Sequence, residues 1–585
     1  MRFQPEYLNL RTNNEIYYLI GTFFALVVIK SILTMPMQTP WIFADEAVYD
    51  NIAQNIVHGE LFSDLLYCQT YPPGYSILLS TAYLFSGDKT VIYHIMLIVN
   101  SVLTSSVIFP SYYILKKYIT QQQALLGSLL IAVLPAVTLY TFVLMSENLF
   151  IPLTLFSIWF LHEAFEHNSI GWGFLAGISI FYLYFTRETG LVFCIALFAA
   201  LAFFIIGMER GERLKAVKDK TVLLGSFVVP FLLWGIYKRA VATGPSLYST
   251  GAYVSTLVEA ISDIELFVTI STLVLHEIEY LALSGYIFVF VIALAFIAGA
   301  LKRSIPGPGV HLRQFCPEKA PALRAVIVYC LTFSAGLLVI TVTHMQMIYT
   351  TGDQYYAIFG RYLDPVVPVL FLFGILATGY LRASGSSLSH ENRKAGKLFL
   401  VPGLVLVSIM AVSLPHTYYK FPNMFGINYL PYLQEYVPFA GIMLLLAVVC
   451  VVVPSALLNH PHGFLTVIGL FIIGSVLLTV PTYSAEVAFS DHIENVNQIG
   501  RYLQEHASPG STVMVDPVAF DRGWYPVGWF STTFWSPGEL TVLPIEESFL
   551  AESDYLVSNS SLDYPVASRS RDGYTLYATG RVTGT

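Results

Sequence analysis

The sequence predicts a polytopic α-helical membrane protein of about 13 transmembrane helices with a small C-terminal extracytoplasmic α/β domain. Three observations predict it. Of the 585 residues 55% are hydrophobic and only 12% charged, against about a quarter charged in soluble domains. Apolar runs of nearly 20 residues recur along the chain, which is the length that crosses a hydrocarbon core. Hydropathy falls after residue 482, where the pattern changes to one short helix and several strands.

The candidate spans are 16–35, 93–115, 121–141, 148–165, 170–186, 190–207, 221–240, 283–301, 324–347, 362–381, 397–415, 436–457 and 463–482. The first carries Lys30 and has no small-residue cleavage site behind a short apolar core, so it reads as a retained span rather than a signal peptide. The run Tyr75 to Phe85 is too short to cross a ~30 Å core at ~1.5 Å per residue and reads as an interfacial helix.

Charge bias fixes the direction. With the N-terminus cytoplasmic, 18 of the 30 basic residues fall in inside segments, including Lys116 and Lys117, Arg210 to Lys220, Lys302 to Arg324, and Arg382 to Lys397. The first outer loop, 36–92, holds one, Lys89. This places a transmembrane domain at 1–482 and the domain 483–585 outside, in a plasma (inner) membrane. Arg303 to Pro321, rich in Pro and Gly, reads as a cytoplasmic linker.

In the C-terminal segment, Asp491 to His506 predicts a helix with Ile493, Val496, Ile499 and Leu503 on one face. Strands are predicted at Ser511–Val515, Leu540–Leu543, Tyr555–Val557 and Tyr574–Tyr577. This segment carries 5 basic against 13 acidic residues and so the whole formal charge of −8. Such acidity argues against a nucleic-acid partner. The five cysteines, Cys68, Cys194, Cys316, Cys330 and Cys450, show neither a disulfide framework nor metal-type spacing. Asn559-Ser560-Ser561 is an external glycosylation sequon, relevant only where the source has that machinery.

The polar residues worth notice gather on one membrane face. Asp45 and Glu46 open a helix after the first span, with Val48, Ile52 and Ile56 on one side. Carboxylates suit a helix N-terminus on their own; the functional reading makes Asp45 a general base for an acceptor hydroxyl or amine. Tyr71-Pro72-Pro73-Gly74 forms a rigid turn into the interfacial helix. Glu147, where the third span meets the fourth, either starts a helix or supplies a second carboxylate. Arg187, after the fifth span, either pairs with Glu188 or snorkels, or grips a lipid phosphate with its fork. Lys238 and Arg239 break the positive-inside pattern, and Arg361-Tyr362 enters the tenth span with the same anion-binding potential. His276, with Glu277 and Glu279, and His344 are external candidates for a divalent metal, against the ordinary reading that scattered His and Glu are not ligands.

Taken together, Asp45-Glu46, Tyr71-Pro72-Pro73-Gly74-Tyr75, Glu147, Thr186-Arg187, and Gly360-Arg361-Tyr362 with Pro365 and Pro368 resemble a family. The chain is similar to integral-membrane glycosyltransferases of the GT-C fold, in the branch of protein O-mannosyltransferases and aminoarabinose transferases. The resemblance implies an inverting transfer of a sugar from a polyprenyl- or dolichyl-monophosphate donor to a protein, lipid or glycan acceptor outside the membrane. It implies that Asp45 is the base, with Glu46 and Glu147 beside it, and that Arg187, Lys238, Arg361 and Tyr362 hold the donor phosphate. Lipid-A-directed members have an Arg where this chain has Val48, and Glu-Lys where it has Thr70-Tyr71. These departures point away from lipid A and aminoarabinose. A flippase for lipid-linked sugars would favour repeated halves and midplane charges, which the sequence lacks. A ligase using lipid diphosphates is separated only by donor preference.

Overall fold

The computed structural model describes residues 14–40, 44–62, 71–167, 169–241, 263–301, 320–349, 358–385, 425–438 and 463–508, pieces of 403–453, and the strands of the C-terminal part with short stretches beside them. Eight described helices are long and apolar enough to cross a membrane. A ninth span arises if the helices Gln121–Ala132 and Pro135–Phe142, bent by 62°, count as one. The shorter apolar helices Ile170–Thr186, Phe288–Leu301 and Val366–Gly379 coincide with three further predicted spans. Predicted spans 397–415 and 436–457, the linker from Arg303, Cys68, Cys316 and Asn559 lie wholly or mostly outside the described residues.

The helix ends follow local chemistry. Asp88 caps Lys89–Ser105 by accepting the Thr90 N–H at 2.8 Å. Thr120 and Gln123 form a capping box ahead of Gln121–Ala132. The bend after Ala132 falls at Pro135, whose ring cannot continue a helix and is preceded by an extended Leu134. The predicted interfacial run 75–85 is a short helix, Gly74–Leu79, followed by a 3₁₀ turn, Ser80–Leu84.

One helix was absent from the predicted spans. Ile264–Ser284 is capped by Asp263 and keeps Ile264, Phe267, Val268 and Leu275 exposed, while its last turns are buried. The predicted spans leave 241–282, with the acids Glu277 and Glu279, as an outer segment. Both are buried against other helices, a fact that hydropathy does not encode.

The predicted helix 491–506 is the continuation of the last span, in one helix Gly463–His506. The domain boundary expected at 482 therefore falls within a helix. Its Ile499 and Leu503 pack on a five-stranded sheet, made of β1 (Thr512–Val515), β2 (Thr541–Pro544), β3 (Tyr555–Ser558), β4 (Val566–Arg569) and β5 (Thr575–Ala578). The strand order is β2-β1-β3-β5-β4, with β1 parallel to β2 and β3, and β5 antiparallel to β3 and β4. The sequence missed β4, an edge strand with an exposed Val566 and no clear alternation.

Candidate active site

The site forms at the end of the bundle where the first long loop lies. Its first element is the helix Ala44–Val57. Val48 and Ile52 are fully buried, which fixes the rotation of the helix and aims Asp45 at the bundle. Ser76 Oγ donates to the Tyr49 carbonyl at 2.8 Å and holds the interfacial helix against it. A Cβ on Gly74 would stand 2.5 Å from the Phe185 carbonyl oxygen. Only glycine allows that approach, and the Tyr182 hydroxyl closes it by donating to the Gly74 carbonyl at 3.0 Å. The interfacial turn is thereby pressed onto the helix end that presents Arg187.

The second element is the extended segment from Val143 to Met145, between the bent pair and the helix Glu147–Glu166. Buried backbone outside a helix needs partners. Glu46 supplies one by accepting the Leu144 N–H at 2.8 Å. Asn100 Nδ2 donates to the Val143 carbonyl at 2.9 Å, and Asn148 Nδ2 to those of Val143 and Met145 at 2.8 and 3.0 Å. These bonds fix the start of the helix that carries Glu147.

At the centre two carboxylates alternate with two guanidiniums. Arg361 Nη2 lies 2.6 Å from Asp45 Oδ2, and its Nε donates to Glu147 Oε1 at 2.5 Å. Arg187 Nη1 pairs with the same Glu147 oxygen. The Tyr71 hydroxyl donates to the other Asp45 oxygen at 2.9 Å. Glu147 is fully buried, and Arg187 and Arg361 are each 8% exposed. Burial pushes the Asp45 carboxyl up. The Arg361 guanidinium, with help from Arg187 and the Tyr71 hydrogen bond, outweighs this and holds it below the usual carboxylate range.

Arg361 is itself positioned. Tyr280 fills the space a Cβ on Gly360 would need. Asp364 accepts from the Tyr140 hydroxyl at 2.5 Å and from Tyr280. Glu277 Oε1 accepts the Phe359 N–H at 2.7 Å. Sequence reasoning missed Tyr140 and Tyr280, and named Glu277 only among the metal candidates. Their only signal is an acid, Asp364, directly ahead of an apolar helix.

Of the predicted residues, Asp45, Glu147, Arg187 and Arg361 meet directly. The Tyr362 ring lies 5.0 Å from the Arg187 guanidinium, and its hydroxyl is 3.4 Å from His344 Nε2. Lys238 pairs with Glu188, next to Arg187 at the rim. Glu46 points at the backbone rather than at the arginines. His276 and Glu279 contact each other at 3.3 Å. Among the described residues they and His344 do not converge as a three-ligand cluster; the one such cluster is Glu163, Glu166 and His167, at the other end of the helix Glu147–Glu166. Lys117 neutralises its carboxylates at 2.9 and 2.6 Å.

Residues 70–237 match the family model of dolichyl-phosphate-mannose-protein mannosyltransferase. Two solved structures are similar along nearly the full length. ArnT from Cupriavidus metallidurans in the apo state superposes with a TM-score of 0.53 at 13% identity, over 96% of this chain and 98% of that one. The same protein bound to undecaprenyl phosphate gives 0.50 at 14%, over 96% and 97%. A search of the curated proteins gives no match. Span pattern and superposition agree: the chain is a multi-pass, mainly helical membrane protein with the fold of these structures, and its residues 70–237 resemble the mannosyltransferase family.

Proposed function

We propose that the protein transfers a sugar from a polyprenyl- or dolichyl-monophosphate donor to an acceptor at the outer membrane face, with inversion, and that Asp45 is the general base. The observation that carries this is the chain Asp45–Arg361–Glu147–Arg187, buried at the loop end of a membrane bundle. Burial of two arginines is costly unless they face anions. Two forks a carboxylate apart suit the phosphodiester of such a donor and the phosphate monoester that it leaves. The family match at 70–237 and a protein of the same fold that binds undecaprenyl phosphate support a lipid-phosphate donor.

The chemistry asks little of the protein. Asp45 takes the acceptor proton as the acceptor oxygen or nitrogen bonds to the anomeric carbon. The bond from that carbon to the phosphate oxygen breaks, and its electron pair leaves with the phosphate. Arg187 and Arg361 stabilise the charge that develops there, so no acid need protonate the leaving group. Lys238, at the rim, would attract the donor. The lipid tail would lie among the exposed apolar side chains of the spans.

The test is turnover of radiolabelled polyprenyl-phosphate sugars by purified protein in lipid, wild type against Asp45→Asn. Release of polyprenyl phosphate with transfer or hydrolysis of sugar, lost in the variant, supports both class and base. Movement of labelled lipid across the bilayer without turnover overturns the enzyme reading.

A further inference from the structure

Asp45 shares its helix with a second buried acid that the proposed chemistry does not use. Asp50 lies five residues on, about 140° around a helix of 3.6 residues per turn. Asp45 faces the arginines, whereas Asp50 faces away from them, toward Lys89. Lys89 Nζ stands 2.8 Å from Asp50 Oδ2, and the Tyr83 hydroxyl donates to Asp50 Oδ1 at 2.6 Å. Lys89 also donates to the Tyr83 hydroxyl at 2.6 Å. Both charged side chains are nearly inaccessible, at 6% and 3%.

One ring against this triad comes from the C-terminal part of the chain. Lys89 Nζ lies 5.1 Å from the centre of the Phe534 ring, within cation–π range. The same ring packs edge to face on Tyr93 at 6.0 Å and on Trp535 at 5.3 Å. Trp535 is fully buried and lies 4.6 Å from the guanidinium of Arg501, on the long helix that carries the sheet. A path of contacts therefore runs from the long helix on which the C-terminal sheet packs, through Arg501, Trp535 and Phe534, to the pair that anchors the helix of Asp45.

We propose that the C-terminal domain is a positioning element for the active site: Phe534 seals the Lys89–Asp50 pair from water, and the sealed pair holds the helix 44–57 so that Asp45 meets its partners. An ion pair weakens steeply as water reaches it, because the dielectric around it rises. Loss of the ring would let the helix shift, and a shift of about 1 Å at a reacting group can cost about 100-fold in rate. Phe534, Lys89 and Asp50 touch no substrate in this scheme.

The experiment uses the full chain in lipid nanodiscs and reads two quantities. Amide hydrogen exchange over 44–57 reads the coupling, with 147–166 as the internal reference. Turnover of a polyprenyl-phosphate sugar reads the consequence, and that arm rests on the function proposed above. Phe534→Ala is expected to speed exchange over 44–57 by about tenfold, leave 147–166 unchanged, and lower kcat by about tenfold with donor KM unaltered. Phe534→Tyr keeps the ring and restores both values. Phe534→Leu keeps apolar cover without the ring face, folds where the alanine variant does not, and falls between. Wild-type exchange over 44–57 in the alanine or leucine variant overturns the coupling. Faster exchange with unchanged kcat overturns the positioning role. Should the wild-type chain turn over no donor, the function reading fails by itself, and the exchange arm alone decides the coupling.

Discussion

Arg361 holds Asp45 at 2.6 Å with a guanidinium that also holds Glu147. The proposed base is thus paired with one of the two cations proposed for the donor phosphate. A phosphate that takes up Arg361 would release Asp45 toward the acceptor. Base and leaving-group clamp would then be assembled by one event, which makes donor binding the natural first step.

Asp45→Asn removes the proposed base and leaves the shape of the site. Transfer should fall by about 10²- to 10⁴-fold, with binding of polyprenyl phosphate within about threefold of wild type. Single-turnover transfer and equilibrium lipid binding on one preparation check this. Near-normal transfer would remove Asp45 from the mechanism.

Glu147→Gln takes away the anion that both arginines share. The two cations then face an incoming phosphate with less competition, so polyprenyl phosphate should bind about tenfold more tightly while transfer falls. Titration of the variant with the unglycosylated lipid phosphate reads the sign. Weaker binding would mean that Glu147 orients the arginines more than it competes for them.

Arg361→Met leaves Glu147 and Asp45 short of a partner in a buried place. Breaking a buried pair by removing one side typically costs about 3–5 kcal/mol, so the thermal midpoint should fall and donor turnover should disappear. Arg361→Lys keeps the charge without the fork and should recover stability better than activity. Equal recovery of both would argue against a geometric role for the guanidinium.

The acid side of the pH profile follows from the sign of the Asp45 shift. A carboxyl held below its ordinary value stays ionised above pH ~4 and is protonated only as pH falls through the lowered value. The stability it contributes is present above pH ~4 and is lost below it. For the free enzyme, kcat/KM should therefore show no acid limb from Asp45 between about pH 5 and 8. Arg361→Lys, with a poorer partner, should move that limb upward. An acid limb near neutrality in the wild-type chain would point to a different base.

Much of the molecule could be read from residue order. Apolar run lengths found nearly every long apolar helix among the described residues, because hydropathy is a local property that a membrane reads directly. The acids and arginines of the site were legible for the complementary reason: charge at a span end is expensive enough to stand out. Local pattern also gave four of the five strands. The structure alone decided who meets whom. Arg361 lies 214 residues from Glu147 and 316 from Asp45 in the chain, and no spacing rule joins them; the close approaches at Gly74 and Gly360 do. Glu46 and Glu147 look equivalent in sequence, yet one satisfies the backbone of the extended segment at Leu144 and the other sits between two guanidiniums, because that segment is buried only once the helices pack. Phe534 and Lys89 likewise meet only through tertiary packing. Sequence sets which groups must be buried or paired, since that cost belongs to the residue; the partner is set by the three-dimensional path of the chain.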